Sequence, residues 1–374
     1  MINTAALRAK GERLTSDLKA AWPGLNLVLG VALVSRYLHS LLAGTLAGKV
    51  ISEILIAILL GLYLRAMIGY NPRLVPGITF TMKKILRFGI ILLGLRLSLQ
   101  DIGATGWQGL SLILVCITIA LSLAWVSQRL FKISPRLAAL IGVGTAICGN
   151  SAIIATAPVI EANEEEVSFA VATITLFGLL AVLVYPFIGA LLGLQDNLFG
   201  FWAGTAVNDT SQVVAVSAMY SDLAQNVATI IKLTRNVLMA PLIFIIGVVY
   251  QRLKGQRAEG SSTPGQRIRI GKLIPGFVVG FVLMALLRTV GVMLGFLPQN
   301  VSSPGGLELA ASGLILADSV SKLAILMALS AVGLNTDFAS LKRLGLKPLL
   351  VGTVVAVLLS VTSLALILFT PLGG

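Results

Sequence analysis

The sequence predicts an all-α polytopic membrane protein of about eleven transmembrane helices, two of them interrupted near the midplane, in an inverted-repeat transporter architecture. Three observations predict it. The 374 residues are 57% hydrophobic and only 11% charged, outside the range of water-soluble domains. Apolar runs of about 20 residues, the length that crosses hydrocarbon, recur along the whole chain. Two of those runs contain glycine and polar residues that favour turns and helix caps over helix interiors.

The formal charge of +13 would suggest nucleic acid in a soluble protein. In this class the Lys and Arg excess is read as the bias of cytoplasmic loops, and no nucleic-acid partner is expected. Cys116 and Cys148 lie in apolar runs and His39 is the single histidine, so neither a disulfide nor a metal site is expected.

Residues 1–23, with Arg8, Lys10, Arg13 and Lys19, form a cytoplasmic N-terminal segment. The apolar run that follows exceeds a signal-peptide core and is read as a retained first span. The predicted spans are 24–44, 50–69, 77–97, 107–127, 136–158, 166–193, 198–219, 225–250, 273–295, 307–335 and 346–369. Eight of them, with both interrupted helices, fill 24–250; the basic linker 251–272 separates them from the last three in 273–374.

Charge supports the alternation of loops. Every second loop is basic: Arg65, Arg73, Lys83 and Lys84; Arg129, Lys132 and Arg136; Arg252, Lys254, Arg257, Arg267, Arg269 and Lys272; Lys342, Arg343 and Lys347. Lys49 and Arg96 are exceptions in the intervening loops, and the loop after the fifth span is acidic through Glu161, Glu164, Glu165 and Glu166. The N-terminus is therefore expected in the cytoplasm and the C-terminus on the periplasmic or extracellular side. The loop at Gln195 and Asp196 carries no basic residue, so its inside placement rests on the count alone.

The first interrupted run, Gly142 to Pro158, reads GVGTAICGNSAIIATAP, and the second, Gly204 to Ala215, reads GTAVNDTSQVVA. Both pass from Gly-Thr-Ala through a polar knot to Ser and an aliphatic stretch, with Cys148, Gly149, Asn150 and Ser151 opposite Asn208, Asp209, Thr210 and Ser211. Small residues that let helices pack closely would explain isolated glycines. A matched pair of interrupted segments points instead to a transport site, because irregular backbone at membrane depth survives only beside protein or a polar cavity. By the loop count both segments run in the same direction, which leaves their symmetry unexplained.

Each interruption should start a half-helix near Asn150 or Thr210, with free N–H donors suited to an oxyanion. The substrate-binding set is then Cys148, Gly149, Asn150, Ser151, Thr210, Ser211, Gln212, Lys232 and Arg235. The two cations lie deep in an apolar helix, where a charge costs about 2.5–3.5 kcal/mol unless it meets a partner or cavity. Asp209 paired with Arg235 is the simplest neutralisation; Lys232 could instead snorkel to the surface, as is expected of Arg87 and Arg288. Asn208 and Asp209 could hold a coupling ion, Na⁺ or H⁺. Asp318 and Lys322, four apart on one helix face, form a structural ion pair or a coupling element. LLGLRLSLQDIGATG from Leu92 echoes AVGLNTDFASLKRLG from Ala331 in the opposite orientation, as in an inverted repeat.

The runs KKILRFGIILLGLRLSL, GVGTAICGNSAIIATAPVI, FGFWAGTAVNDTSQVVAVS and MALSAVGLNTDF resemble the YeiH family, assigned to sulfate export. The resemblance covers nearly the whole chain. It implies a multi-pass secondary transporter of the bacterial inner membrane that moves sulfate or a related sulfur oxyanion. It carries no residue-level mechanism. The expected function is alternating-access export of a small inorganic anion, with a homodimer as an admissible assembly. A Na⁺- or H⁺-coupled organic anion carrier and an anion channel are the rivals. An enzyme is not expected, and no ATP-binding or dinucleotide motif occurs.

Overall fold

The computed structural model describes residues 4–42, 52–255, 276–298, 308–336 and 346–369. Lys49, the linker beyond position 255, Lys342, Arg343 and the end of the late family motif lie outside the described residues. The described residues are helical and contain no strand. Seven helices among them are long and apolar enough to cross a membrane: 19–42, 99–131, 164–191, 222–250, 276–293, 312–335 and 347–369. The chain divides into two compact units, Met1–Arg96 with Leu283–Asp337, and Leu97–Val282 with Phe338–Gly374. Each unit therefore draws residues from both sides of the basic linker.

The first unit holds α1 (Thr4–Leu42), α2 (Glu53–Ile68), α3 (Val75–Phe80) and α4 (Leu86–Leu93). It also holds most of α13 (Gly276–Met293) and α14 (Glu308–Asn335). A π turn, Thr81–Ile85, joins α3 to α4, and it breaks the regularity of the expected third span. Here small residues do serve close packing. A Cβ on Gly333 of α14 would stand 2.4 Å from the Ile58 carbonyl oxygen of α2. Beside α4, Ser321 donates from α14 to the Gly89 carbonyl at 2.8 Å.

The second unit holds α5 (Leu99–Phe131), α6 (Pro135–Ala146), α7 (Asn150–Thr156) and α8 (Glu164–Leu191). After these come α9 (Asp196–Ala206), α10 (Thr210–Tyr220), α11 (Asp222–Val237), α12 (Met239–Gly255) and α15 (Leu346–Phe369). Its organisation departs from the sequence expectation at two places.

Residues 136–158 do not run through as one span. Ser134, which caps α6, donates from Oγ to Glu166 Oε1 in the first turn of α8 at 2.5 Å. A through-going helix of this length would hold those residues about 30 Å apart. Instead α6 descends 12 residues, or about 18 Å, turns at Ile147–Gly149, and α7 returns beside it. A Cβ on Gly144 would meet Ile153 Cδ1 at 2.9 Å, which places the two arms side by side.

Residues 198–219 do the same. Phe199, in the first turn of α9, stacks on Tyr220, the last residue of α10, with ring centroids 3.8 Å apart. Tyr220 also donates its hydroxyl to the Leu194 carbonyl at 2.5 Å. Each arm has 11 residues, about 16 Å of helix.

The helix α8 relates the two hairpins. Its 28 residues extend about 42 Å. The base of the first hairpin sits at Glu166, near its start. The base of the second sits near its end, where a Cβ on Gly189 would meet Phe199 at 2.5 Å. The hairpins thus enter from opposite ends of α8, and their tips meet alongside its middle. Arm lengths of about 18 and 16 Å match that meeting point. The α9 arm of the second hairpin is packed on two sides: α11 lies against Gly200 and Gly204, and the Trp202 indole donates to the Ser360 carbonyl of α15 at 3.1 Å.

Candidate functional site

The tips are built from residues that cannot continue a helix. Gly149 has φ +66°, ψ −125°, a backbone that side chains rarely adopt, and its N–H closes the turn on the Gly144 carbonyl at 2.9 Å. A Cβ there would lie 3.5 Å from the Asn208 carbonyl oxygen and 3.5 Å from Asp209 Cα, so the two tips are in contact. In the second tip, Asp209 leaves helical geometry and caps α10. Its Oδ1 accepts from the Ser211 N–H at 2.9 Å and the Ser211 hydroxyl at 2.7 Å, while its own N–H donates to Gln212 Oε1 at 3.2 Å.

Two turns that end helices inside a protein leave carbonyls unsatisfied. Lys232 and Arg235, three apart on one face of α11, supply the donors. Lys232 is 0% exposed and donates from Nζ to the carbonyls of Ile147 at 2.7 Å, Val207 at 3.1 Å and Asn208. Arg235, 1% exposed, donates to Thr145 at 2.7 Å, Ala146 at 3.1 Å, Gly204 at 2.8 Å, Thr205 at 2.8 Å and Val207 at 3.3 Å. Both cations thus clamp the C-terminal ends of α6 and α9 together, where helix dipoles favour positive charge.

This geometry corrects several expectations. Arg235 does not pair with Asp209, because its guanidinium is directed to five carbonyls and the carboxylate is spent on the α10 cap. Lys232 does not snorkel, since the same unsatisfied carbonyls hold it inside. Arg288 is likewise buried, at 4% exposure, whereas Arg87 is exposed. The hydroxyl of Ser211 is turned to Asp209, and Ser151 is exposed. Buried Cys148 lies with its sulfur 3.6 Å from that of Met239.

Asn150 and Asn208 differ from these. The Asn150 amide donates from Nδ2 to Thr175 Oγ1 at 3.5 Å, and its Oδ1 is buried with no hydrogen-bond partner. Asn208 is 2% exposed and its Oδ1 also has no partner. Thr210, two residues after Asn208, is partly exposed at the start of α10.

Thr175 and Gly178 of α8 join the site although sequence reading passed over them. Gln212 Nε2 donates to the Thr175 carbonyl at 3.4 Å, so Thr175 holds both hairpins. A Cβ on Gly178 would lie 1.8 Å from Gln212 Oε1, so glycine is what admits that side chain. The only sequence signal was a threonine and a glycine within an apolar run, which close helix packing would equally explain. Asp318 and Lys322 belong to the first unit, where they stand 3.6 Å apart and Arg96 forms a second ion pair with Asp318.

Fold and site together define a polytopic α-helical membrane protein with a polar junction between two helical hairpins. Residues 23–352 match the family model described as conserved hypothetical protein 698. A UPF0324 membrane protein of Streptococcus agalactiae serotype V is 37% identical over 88% of this chain and 92% of its own. One from Clostridium tetani is 32% identical over 91% of this chain and 94% of its own. One from Streptococcus pyogenes serotype M6 is 37% identical over 92% and 96%. The chain belongs to this UPF0324 family, the family to which the YeiH resemblance points.

Proposed function

We propose that the protein is a secondary transporter of a small anion, working by alternating access at the junction of the two hairpin tips. The observation that carries this reading is the pair of fully buried cations, Lys232 and Arg235, bound to carbonyls and, among the described residues, beside one carboxylate, Asp209. Such a junction holds an excess of positive charge, and an anion relieves it. Asn150, Asn208 and Thr210 are the polar side chains free to meet the substrate; Cys148, Gly149, Ser151, Ser211 and Gln212 shape the turns around it.

In this reading nine helical crossings and two re-entrant hairpins replace eleven spans. Folding back 136–158 and 198–219 leaves the basic linker in the cytoplasm. It moves the loop at Gln195 to the outside, where its lack of basic residues is the usual pattern. It also makes the two Gly-Thr-Ala segments oppositely directed, which supports an inverted repeat. The N-terminus is cytoplasmic, the C-terminus periplasmic or extracellular, and the membrane is the bacterial inner membrane. Export of sulfate or a related sulfur oxyanion is the substrate reading, with Na⁺ or H⁺ as coupling ion and no enzymatic role.

Flux into proteoliposomes tests it. Saturable uptake of sulfate, sulfite, thiosulfate or phosphate driven by an imposed Na⁺ or proton gradient is expected. Flux that does not saturate identifies a channel, and carboxylate uptake without inorganic anion uptake identifies an organic anion carrier.

A further inference from the structure

The geometry points to a junction built for a monovalent oxyanion that carries its own hydroxyl proton, the class of hydrogencarbonate, hydrogen sulfite and dihydrogen phosphate. The inference rests on the anion reading above and narrows it. Two independent observations carry it.

The first is charge. Lys232 lies within hydrogen-bond reach of three carbonyls at once, the bonding that suits the three N–H donors of an ammonium group. Arg235 is a guanidinium. Asp209 accepts two hydrogen bonds on one oxygen at a helix start, as a carboxylate does. The tips hold two helix C-termini and two N-termini, whose dipoles offset each other. The other acids of these segments, Glu161, Glu164–Glu166, Asp196 and Asp222, sit at the hairpin bases, away from the tips. Among the described residues at the tips, two cations against one carboxylate leave one positive charge. A monoanion neutralises it, and a dianion reverses it inside a low-dielectric interior.

The second is hydrogen bonding. The oxygens left over at the tips, Asn150 Oδ1 and buried Asn208 Oδ1, are acceptors without a donor. As placed, the Asn150 amide turns Nδ2 toward Thr175 Oγ1 at 3.5 Å and leaves Oδ1 facing the tip. Unpartnered buried acceptors are costly, and they select a ligand that brings a donor. Sulfate, nitrate and chloride bring none. A hydroxyl-bearing monoanion satisfies charge and acceptors together.

The test uses the purified full-length protein. Thermal stabilisation and counterflow in proteoliposomes are measured with hydrogencarbonate, hydrogen sulfite, dihydrogen phosphate, nitrate and sulfate, each at a pH where the stated form dominates. The hydroxyl-bearing monoanions are expected to act at concentrations about tenfold or more below nitrate and sulfate. Asp209→Asn keeps a cap residue while raising the junction charge to two, and is expected to shift preference toward sulfate. Asn208→Ala is expected to abolish the advantage over nitrate. Nitrate or sulfate acting as well as hydrogen sulfite on the unmodified chain overturns the inference and leaves the anion reading standing. Sulfate preference unmoved in a monodisperse Asp209→Asn protein overturns it equally. No response to any of the five anions removes both readings.

Discussion

Ser134 and Glu166 share a 2.5 Å hydrogen bond across 32 residues of sequence, most of them apolar. That contact makes the first interrupted segment a hairpin, just as the Phe199–Tyr220 stack makes the second one. With α8 as the common support, the hairpins oppose each other and present their turns to one junction. Everything charged at that junction follows from how the turns are satisfied.

Arg235→Ala is expected to destabilise the fold by at least about 3 kcal/mol, because it strands carbonyls from both hairpins in a buried setting. The place of Arg235 in the substrate-binding set read from the sequence implies the opposite order, a loss of anion affinity ahead of stability. Thermal unfolding in detergent decides between them, with Arg235→Lys expected to recover part of the loss. An Arg235→Ala protein as stable as the unmodified chain would separate the guanidinium from the hairpin clamp.

Gly149→Ala should cost about 1–3 kcal/mol through the backbone itself, since φ +66°, ψ −125° is strained for any residue with a Cβ. The space around it is nearly adequate, with the closest neighbour, Ile174 Cγ2, at 3.3 Å. The same substitution at Gly103, with nothing within 4 Å of the added Cβ and a helical backbone, is the control and should be neutral or stabilising. Equal unfolding temperatures for both variants would contradict the assigned turn.

Gly178→Ala acts through Gln212 instead. The added methyl would occupy the position of Oε1, 1.8 Å away, and so displace the side chain that bonds the Asp209 N–H and the Thr175 carbonyl. Loss of transport with a modest fall in stability is the expected pattern. Gly178→Ala combined with Gln212→Ala should be more stable than Gly178→Ala alone, because the clash is gone.

Tyr220→Phe keeps the stack on Phe199 and removes the hydroxyl bonds to Leu194 and Gly189, at a cost of about 1 kcal/mol. Tyr220→Ala removes both and should cost roughly 3 kcal/mol or more. Similar losses for the two would argue against a packed hairpin base.

Much of this was legible in the sequence, and the reason for the rest is physical. Gly149, Asn150, Asn208 and Asp209 mark the turns because glycine and short polar residues are poor in helix interiors. Whether the chain continues or returns after such a turn is invisible to hydropathy, which is blind to direction. The basic-free loop at Gln195 was the one signal of a return. The partners of Lys232 and Arg235 were hidden because they are main-chain carbonyls, present at every residue. Arg96 and Asp318 meet across 222 positions, a separation no local pattern reveals.

Sided cysteine labelling in intact cells tests the central claim most directly. Single cysteines at Ser134, Glu164, Gln195 and Ser221, in a background lacking Cys116 and Cys148, are exposed to a membrane-impermeant maleimide before and after permeabilisation. Positions 134 and 164 should react only after permeabilisation, and 195 and 221 before it. Reaction of 134 and 164 from opposite sides, or of 195 and 221 from opposite sides, would contradict the paired hairpins.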